Sequence, residues 1–254
     1  MRRWTALIAL FGTAAMATAD TTYHSLFGSN FSQDWTNVGL ITADDNWSGV
    51  LSVEGYRGDD LTVVTGTDPQ TIVAFAGPPG AVLDVIANQT NPNTLTTGGV
   101  AEFEIANPTI ALNGSGTADA PFVIFYLNTT NVTNVTVNYL LRDIDGSVDN
   151  SVQPVALQYR VGTSGDFTNL PSGFVADASS GPSLATLTTP VSVVLPVAAE
   201  NQAQVQVRVM TSNAVGNDEW IGVDDVVITS TAVPEPASFA ALGLGLLALR
   251  RRRR

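Results

Sequence analysis

The chain has 254 residues, 44% of them hydrophobic, with no cysteine, one histidine and a formal net charge of −12. Without cysteine there are no disulfides and no thiol nucleophile, and the lone His24 would have to serve any histidine-based triad or zinc centre by itself, so it is expected to be an ordinary strand or surface residue. All eleven basic residues are arginine and seven sit at the two ends; the body between them carries four arginines against 22 acidic residues, a formal charge of −18, which repels nucleic-acid phosphates and suits solubility and the binding of divalent cations or neutral sugars.

In chain order, Arg2 and Arg3 form a positive start, Trp4 to Phe11 an apolar run, and Ala17-Thr18-Ala19 a site of small residues. That order describes a secretory signal over residues 1–19, cleaved after Ala19. The alternative, an N-terminal anchor helix, is disfavoured because the apolar run is short and breaks up into Gly, Thr and Ala.

Residues 20–232 make one domain's length of chain. Val, Ile, Thr and aromatic runs are punctuated by Gly, Pro, Asn, Asp and Ser, the pattern of strands and turns. "TIVAF", "AVLDVI", "AEFEI" and "PFVIFYL" are expected strands. "VTNVTVNYLLRDIDG" alternates clearly, with Val135, Val137, Tyr139 and Leu141 on one face. "PVALQYRVG" turns Val155, Leu157, Tyr159 and Val161 inward and Gln158 and Arg160 outward; "QAQVQVRVM" does the same with Val205, Val207 and Val209 against Gln204, Gln206 and Arg208. "VSVVL" and "WIGVDDVVIT" complete the set. No stretch keeps a 3.6-residue apolar period for three turns. The expected fold is all-β, an antiparallel β-sandwich (jelly-roll-like), flanked by an N-terminal signal helix and a short C-terminal hydrophobic helix.

Several groups in the body are candidates for chemistry. Asp218, Asp224 and Asp225 in "GNDEWIGVDDVVIT" offer hard oxygen ligands for calcium, with turn capping as the simpler account. Asp224 and Asp225 would point to opposite faces of a strand, so at most one serves a given site. "RDIDGSVDN" lacks the later ligands of an EF-hand loop and reads as an Asx turn at Gly146. The Arg57-Gly58-Asp59 tripeptide is too short to carry a meaning. For sugar stacking the aromatic candidates are Trp35, Trp47 and Trp220 with Tyr56, the core being the more ordinary place for a tryptophan. No motif singles out a pair of carboxylates for glycoside hydrolysis. The "DDV" strand resembles the closing strand of extracellular jelly-roll modules, where such an Asp packs or binds structural calcium. "ALQYRVGTSGDFTNLP" together with "VQVRVMTSNAVGNDEWIGVDDVVIT" is similar to non-catalytic β-sandwich modules of exported bacterial proteins.

The tail, residues 233–254, holds Pro234-Glu235-Pro236, an uncharged run from Ala237 to Leu249, and Arg250, Arg251, Arg252, Arg253 and Arg254. The prolines exclude a central strand and favour a stiff, extended peptide. Thirteen helical residues reach roughly 20 Å, short of the ~30 Å hydrocarbon core, and the arginines form a basic stop signal on the cytoplasmic side. In order and spacing the tail resembles the PEP-CTERM sorting signal of Gram-negative bacteria; a plain membrane anchor is the alternative. The resemblance implies recognition by an exosortase at the inner membrane, removal of the tail, and transfer to the cell surface or exopolysaccharide matrix. The expected protein is an exported, non-catalytic structural or carbohydrate-binding module with no required cofactor beyond a structural calcium. Exosortase, the inner membrane and exopolysaccharide are its expected partners, and nucleic acid is not. The alternative function is a divergent extracellular polysaccharide hydrolase.

Overall fold

The computed structural model describes residues 21–75, 82–146, 151–179 and 187–233. The signal segment with Ala17 and Ala19, the sorting triplet Pro234, Glu235 and Pro236, the terminal arginines Arg250 to Arg254 and both expected end helices lie outside the described residues. Among the described residues no helix is long and apolar enough to cross a membrane.

Two sheets face each other. One contains β1 (His24–Ser25), β3 (Val53–Tyr56), β7 (Phe122–Asn128), β9 (Ala156–Val161), β10 (Thr168–Asn169) and β12 (Val205–Met210), in the order β1-β7-β12-β9-β10 with β3 also on β7. The other contains β2 (Phe31–Gln33), β4 (Ile86–Gln89), β5 (Gly99–Phe103), β6 (Thr109–Asn113), β8 (Val132–Asp143), β11 (Thr188–Val194) and β13 (Ile221–Ala232), in the order β11-β8-β13-β6-β5-β4 with β2 also on β13. The all-β expectation holds, but the sheets are mixed: β1 runs parallel to β7 and β4 parallel to β5. "TIVAF" and most of "AVLDVI" are not strands. The first starts in a one-turn 3-10 helix, Pro69–Thr71, whose first-turn proline and Asp68 cap favour a turn. The edge strand β11 tolerates Pro190 because one of its sides has no partner strand.

The core between the sheets is the one that the two-residue period encodes. Val135, Val137, Tyr139 and Leu141 from β8 meet Leu157 and Tyr159 from β9 and Val205, Val207 and Val209 from β12, all in one buried cluster. Hydrophobic burial of this kind is the main favourable term, about 25 cal/mol per Å² of apolar surface.

The expectation of a wet outer face on β9 and β12 is overturned. Gln158, Arg160, Gln206 and Arg208 are all buried, and Val161 is instead exposed at the strand end. Residues outside the strands cover this face. Phe75 and Phe167 stack on the Arg160 guanidinium at 4.7 and 4.5 Å, and Phe167 lies 4.0 Å from that of Arg208. Arg208 donates to the carbonyls of Ile72 and Ala74 and to Gln158 Oε1. Burial pulls its pKa down to about 9, and nearby Arg160 adds to the effect. Glu54 accepts hydrogen bonds from the hydroxyls of Tyr56 and Tyr126 in the same layer. Polar strand residues are therefore compatible with burial here because carbonyls and aromatic faces satisfy them.

The register fixes two poles. β13 ends beside the start of β8, with Ala232 opposite Val132 and Val233 donating to Asn131 O. The end of β9, the start of β12 and the end of β1 lie at that same pole, since Val161 and Leu127 both face Val205, and Ser25 faces Asn128. At the other pole, β8 ends where β13 begins, with Asp143 opposite Ile221. The 12 residues of β8 separate the poles by roughly 36 Å at ~3.3 Å per residue. The pole at which β13 ends is called proximal below, and the other distal.

Candidate functional site

The distal pole carries a cleft of about 540 Å³, within the size range of small-ligand sites. Its walls come from the turn 92–96, the turn 113–116 that follows β6, Asp145 just past β8, and the loop 213–218 before β13. Asn93, Asn113, Ser115, Asn213 and Asn217 supply amides and a hydroxyl, and Asp145 and Asp218 supply carboxylates. Each amide both donates and accepts, which matches the two-way demand of a sugar hydroxyl.

Local sequence builds each wall. Pro92 opens a one-turn 3-10 helix capped by the Asn91 side chain, and the Trp220 indole N–H donates to Leu95 O, tying that turn to the core. Trp220 is itself fully buried against Phe103, ring centres 5.1 Å apart, above Ala101, Ala111 and Ile144. Gly114 is required for close approach: a Cβ there would fall 2.5 Å from Asn213 Cα and 2.5 Å from Asp218 Oδ1. The loop 213–218 is held from below by buried Gln153, which donates to Thr211 Oγ1 and Ser212 O, and by Ser151, whose hydroxyl donates to Asn217 O. Asn93 Oδ1 accepts from the Gly146 N–H, which joins the 92–96 turn to the residue after Asp145.

Asp218 Oδ1 accepts from Ala214 N at 2.7 Å. Burial outweighs this bond and pushes the Asp218 carboxyl up to about 6. The cleft thus contains a carboxyl that exchanges its proton in mildly acidic solution.

The calcium set expected from sequence is not brought together. Among the described residues, Asp218, Asp224 and Asp225 do not converge on one point. Asp224 is buried and paired with Arg142 Nη1 at 2.7 Å, with Asn107 Nδ2 at 3.1 Å. Burial still raises its pKa, with Arg142 pulling the other way. Asp225 sits exposed on the opposite face, at a bulge with φ 48°. Three other carboxylates, Asp59, Asp60 and Asp119, do lie within 4.8 Å of one another. Asp119 there accepts from Asp60 N, joining two separate turns, and Asp59 pairs with Arg57 at 3.2 Å, so contacts among these residues account for the grouping and for the Arg-Gly-Asp tripeptide.

The aromatic platform is also corrected. Trp47 has no exposed surface and its indole N–H donates to Asp84 O; Tyr56 is 9% exposed and its hydroxyl points at Glu54. Trp35 and Trp220 are likewise core residues, and none of the four offers a face to a sugar. His24 lies in β1 with its ring edge-on to Phe31, an ordinary strand residue. The cleft itself was not expected from sequence. Its only trace there is the run of Asn- and Gly-rich turns, "NPNT", "NGSG" and "SNAVGND".

Comparison with curated proteins finds no match. Three solved structures are similar in part. A carbohydrate-binding module specific for non-crystalline cellulose, CBM28, is 12% identical over 56% of this chain and 86% of its own, with a TM-score of 0.35. The xylan-binding module CBM15 is 13% identical over 58% of this chain and 90% of its own, TM-score 0.35. The K3 adhesin domain of Lys-gingipain from Porphyromonas gingivalis is 12% identical over 79% of this chain and 98% of its own, TM-score 0.37. The likeness is one of β-sandwich outline, and no residue role passes from them to this chain. Residues 232–254 match the PEP-CTERM protein-sorting motif. The tail is therefore a PEP-CTERM sorting motif, which implies processing by an exosortase and marks an exported, membrane-processed protein of the cell surface.

Proposed function

We propose that this protein is a non-catalytic surface or matrix component of a Gram-negative bacterium that holds an extracellular glycan in its distal cleft. The observation that carries the reading is the cleft's lining: six amide or hydroxyl side chains, Thr96 among them, and two carboxylates, placed at the pole away from the sorting tail. A neutral polysaccharide presents the matching hydroxyls. Each hydrogen bond contributes about 0.5–1.5 kcal/mol, so several are needed for useful affinity. The test is a glycan array with residues 20–233, with and without calcium. Binding to neutral glycans is expected, weakened about tenfold by Asn213→Ala. Retention of no glycan, or undiminished binding by Asn213→Ala, overturns the reading.

A second reading has one observation in its favour. Asp145 and Asp218 line the same cleft, and Asp218 holds its proton up to about pH 6. Glycoside hydrolysis uses a pair of carboxyl groups, one of which acts as the general acid. Release of reducing ends from a retained glycan, abolished in Asp218→Asn while binding persists, would favour hydrolysis; absence of release with the wild type leaves the binding module.

A further inference from the structure

We propose that, while the tail still tethers the precursor, the proximal pole of the sandwich rests directly on the lipid bilayer through a sparsely charged apolar rim. The proposal builds on the exported, membrane-processed reading of the tail and adds a contact surface on the folded body.

Two observations support it. The first is chain length. Val233 is held to the sheet by its bond to Asn131 O, and the apolar run of the tail starts at Ala237. Four peptide steps of at most ~3.6 Å span no more than about 14 Å, about twice the depth of the polar headgroup layer of one leaflet. A body whose last strand is paired up to Ala232 can therefore stand off from the headgroups by less than about 10 Å.

The second is the surface that this tether presents. Phe27, Leu51, Val161, Val197 and Val233 are 53, 70, 40, 78 and 43% exposed. All five belong to the proximal pole. Phe27 follows Leu26, which bonds to Asn128 O. Leu51 precedes Ser52, whose carbonyl accepts from Tyr126 N. Val161 ends β9. Val197 opens the turn that leads to Asn201, which bonds to Val132 O. Across residues 22–31, 49–52, 128–134, 161–167, 194–204 and 228–233, Asp166 and Glu200 are the only acidic side chains and there is no arginine, although the body carries 22 acidic residues. Val63, Val64, Val152 and Val215 are exposed away from this pole, where Asp59, Asp60, Asp145 and Asp218 also lie, so it is bulky apolar exposure combined with little charge that marks the proximal end as a surface matched to lipid. The low charge also limits repulsion by anionic headgroups.

The chain has no cysteine, so single reporters can be placed freely. The signal-processed chain with its tail intact is reconstituted into vesicles of phosphatidylethanolamine and phosphatidylglycerol. A fluorophore is attached at Val197→Cys on the proximal pole or at Val215→Cys on the distal pole, and quenching by nitroxide-labelled lipid is read. At least threefold stronger quenching at position 197 than at 215 is expected. Adding Phe27→Glu and Leu51→Glu, both at exposed positions, should halve the quenching at 197 while the protein still floats with the vesicles and melts as before. Flotation with equal quenching at both positions, or with quenching untouched by the two glutamates, overturns the docking surface and leaves membrane tethering intact. Failure to float overturns the tethered precursor, and the docking surface with it.

Discussion

The two poles of the sandwich are built from the same strands and differ chiefly in charge and in the polar groups their turns supply. The distal pole gathers Asp145, Asp218 and a set of amides around a cleft; the proximal pole has two acidic side chains, Asp166 and Glu200, and a ring of exposed apolar ones. Both arise from where the long strands β8 and β13 begin and end. The distal turns are rich in Asn, Gly and Asp, which suit tight turns and supply hydrogen-bonding groups at the same time. The proximal turns use Val, Ala, Thr and Asn. A rigid β body about 36 Å long can in this way keep a membrane-side end and a solvent-side end apart without a second domain.

The most severe way to break this contrast is to remove the support beneath the distal cleft. Trp220→Ala deletes a fully buried side chain and its bond to Leu95 O, and should lower stability by about 3–5 kcal/mol. Thermal melting checks this, and the variant should lose cleft binding more completely than any substitution at the cleft surface.

Acidity tests the distal pole more gently. Asp84 and Asp218 have pKa values of about 6, raised from 3.8 chiefly by burial. The folded state then binds more protons than the unfolded chain between about pH 4 and pH 6. Stability should accordingly fall as pH rises through that window. Asp218→Asn removes its share of the fall, about 1–2 kcal/mol after allowance for solvent screening. Melting temperatures at pH 4 and pH 6 should be closer together in the variant than in the wild type. An unchanged slope would mean that Asp218 is solvated.

The smallest effect belongs to the proximal pole. Val197→Glu alters an exposed residue with no buried partner to lose, and should change stability by less than about 0.5 kcal/mol. A larger loss in melting experiments would mean that the apolar rim is structural.

Much of this architecture is legible in the sequence, and the limits of that legibility are physical. Alternation in β8, β9 and β12 marks the inner faces correctly because the period of a strand is local. The outer faces of β9 and β12 were misread because Phe75 and Phe167, which cover Arg160 and Arg208, lie in irregular segments far away in sequence. Trp47 and Tyr56 were sought as a sugar platform, yet burial of an aromatic residue depends on what the rest of the chain lays over it. Asp224 read as a metal ligand, but its partner is Arg142, opposite Gly222 on the neighbouring strand, and that pairing is a matter of register. The cleft is drawn from four separate stretches between residues 92 and 218, so no local pattern announces it. The tail is the opposite case. Its triplet, apolar run and arginines follow one another directly, and it was readable outright.

The central claim is that glycan is held at the pole opposite the tail, and protection of a single cysteine tests it most directly. Asn217→Cys lies at the cleft and Val197→Cys at the far end, and each can be modified by a maleimide in the presence and absence of a glycan selected from the array. The account predicts that saturating glycan slows modification at 217 at least fivefold and leaves 197 unchanged. Equal rates at 217 with and without glycan, or protection at 197 instead, would contradict it.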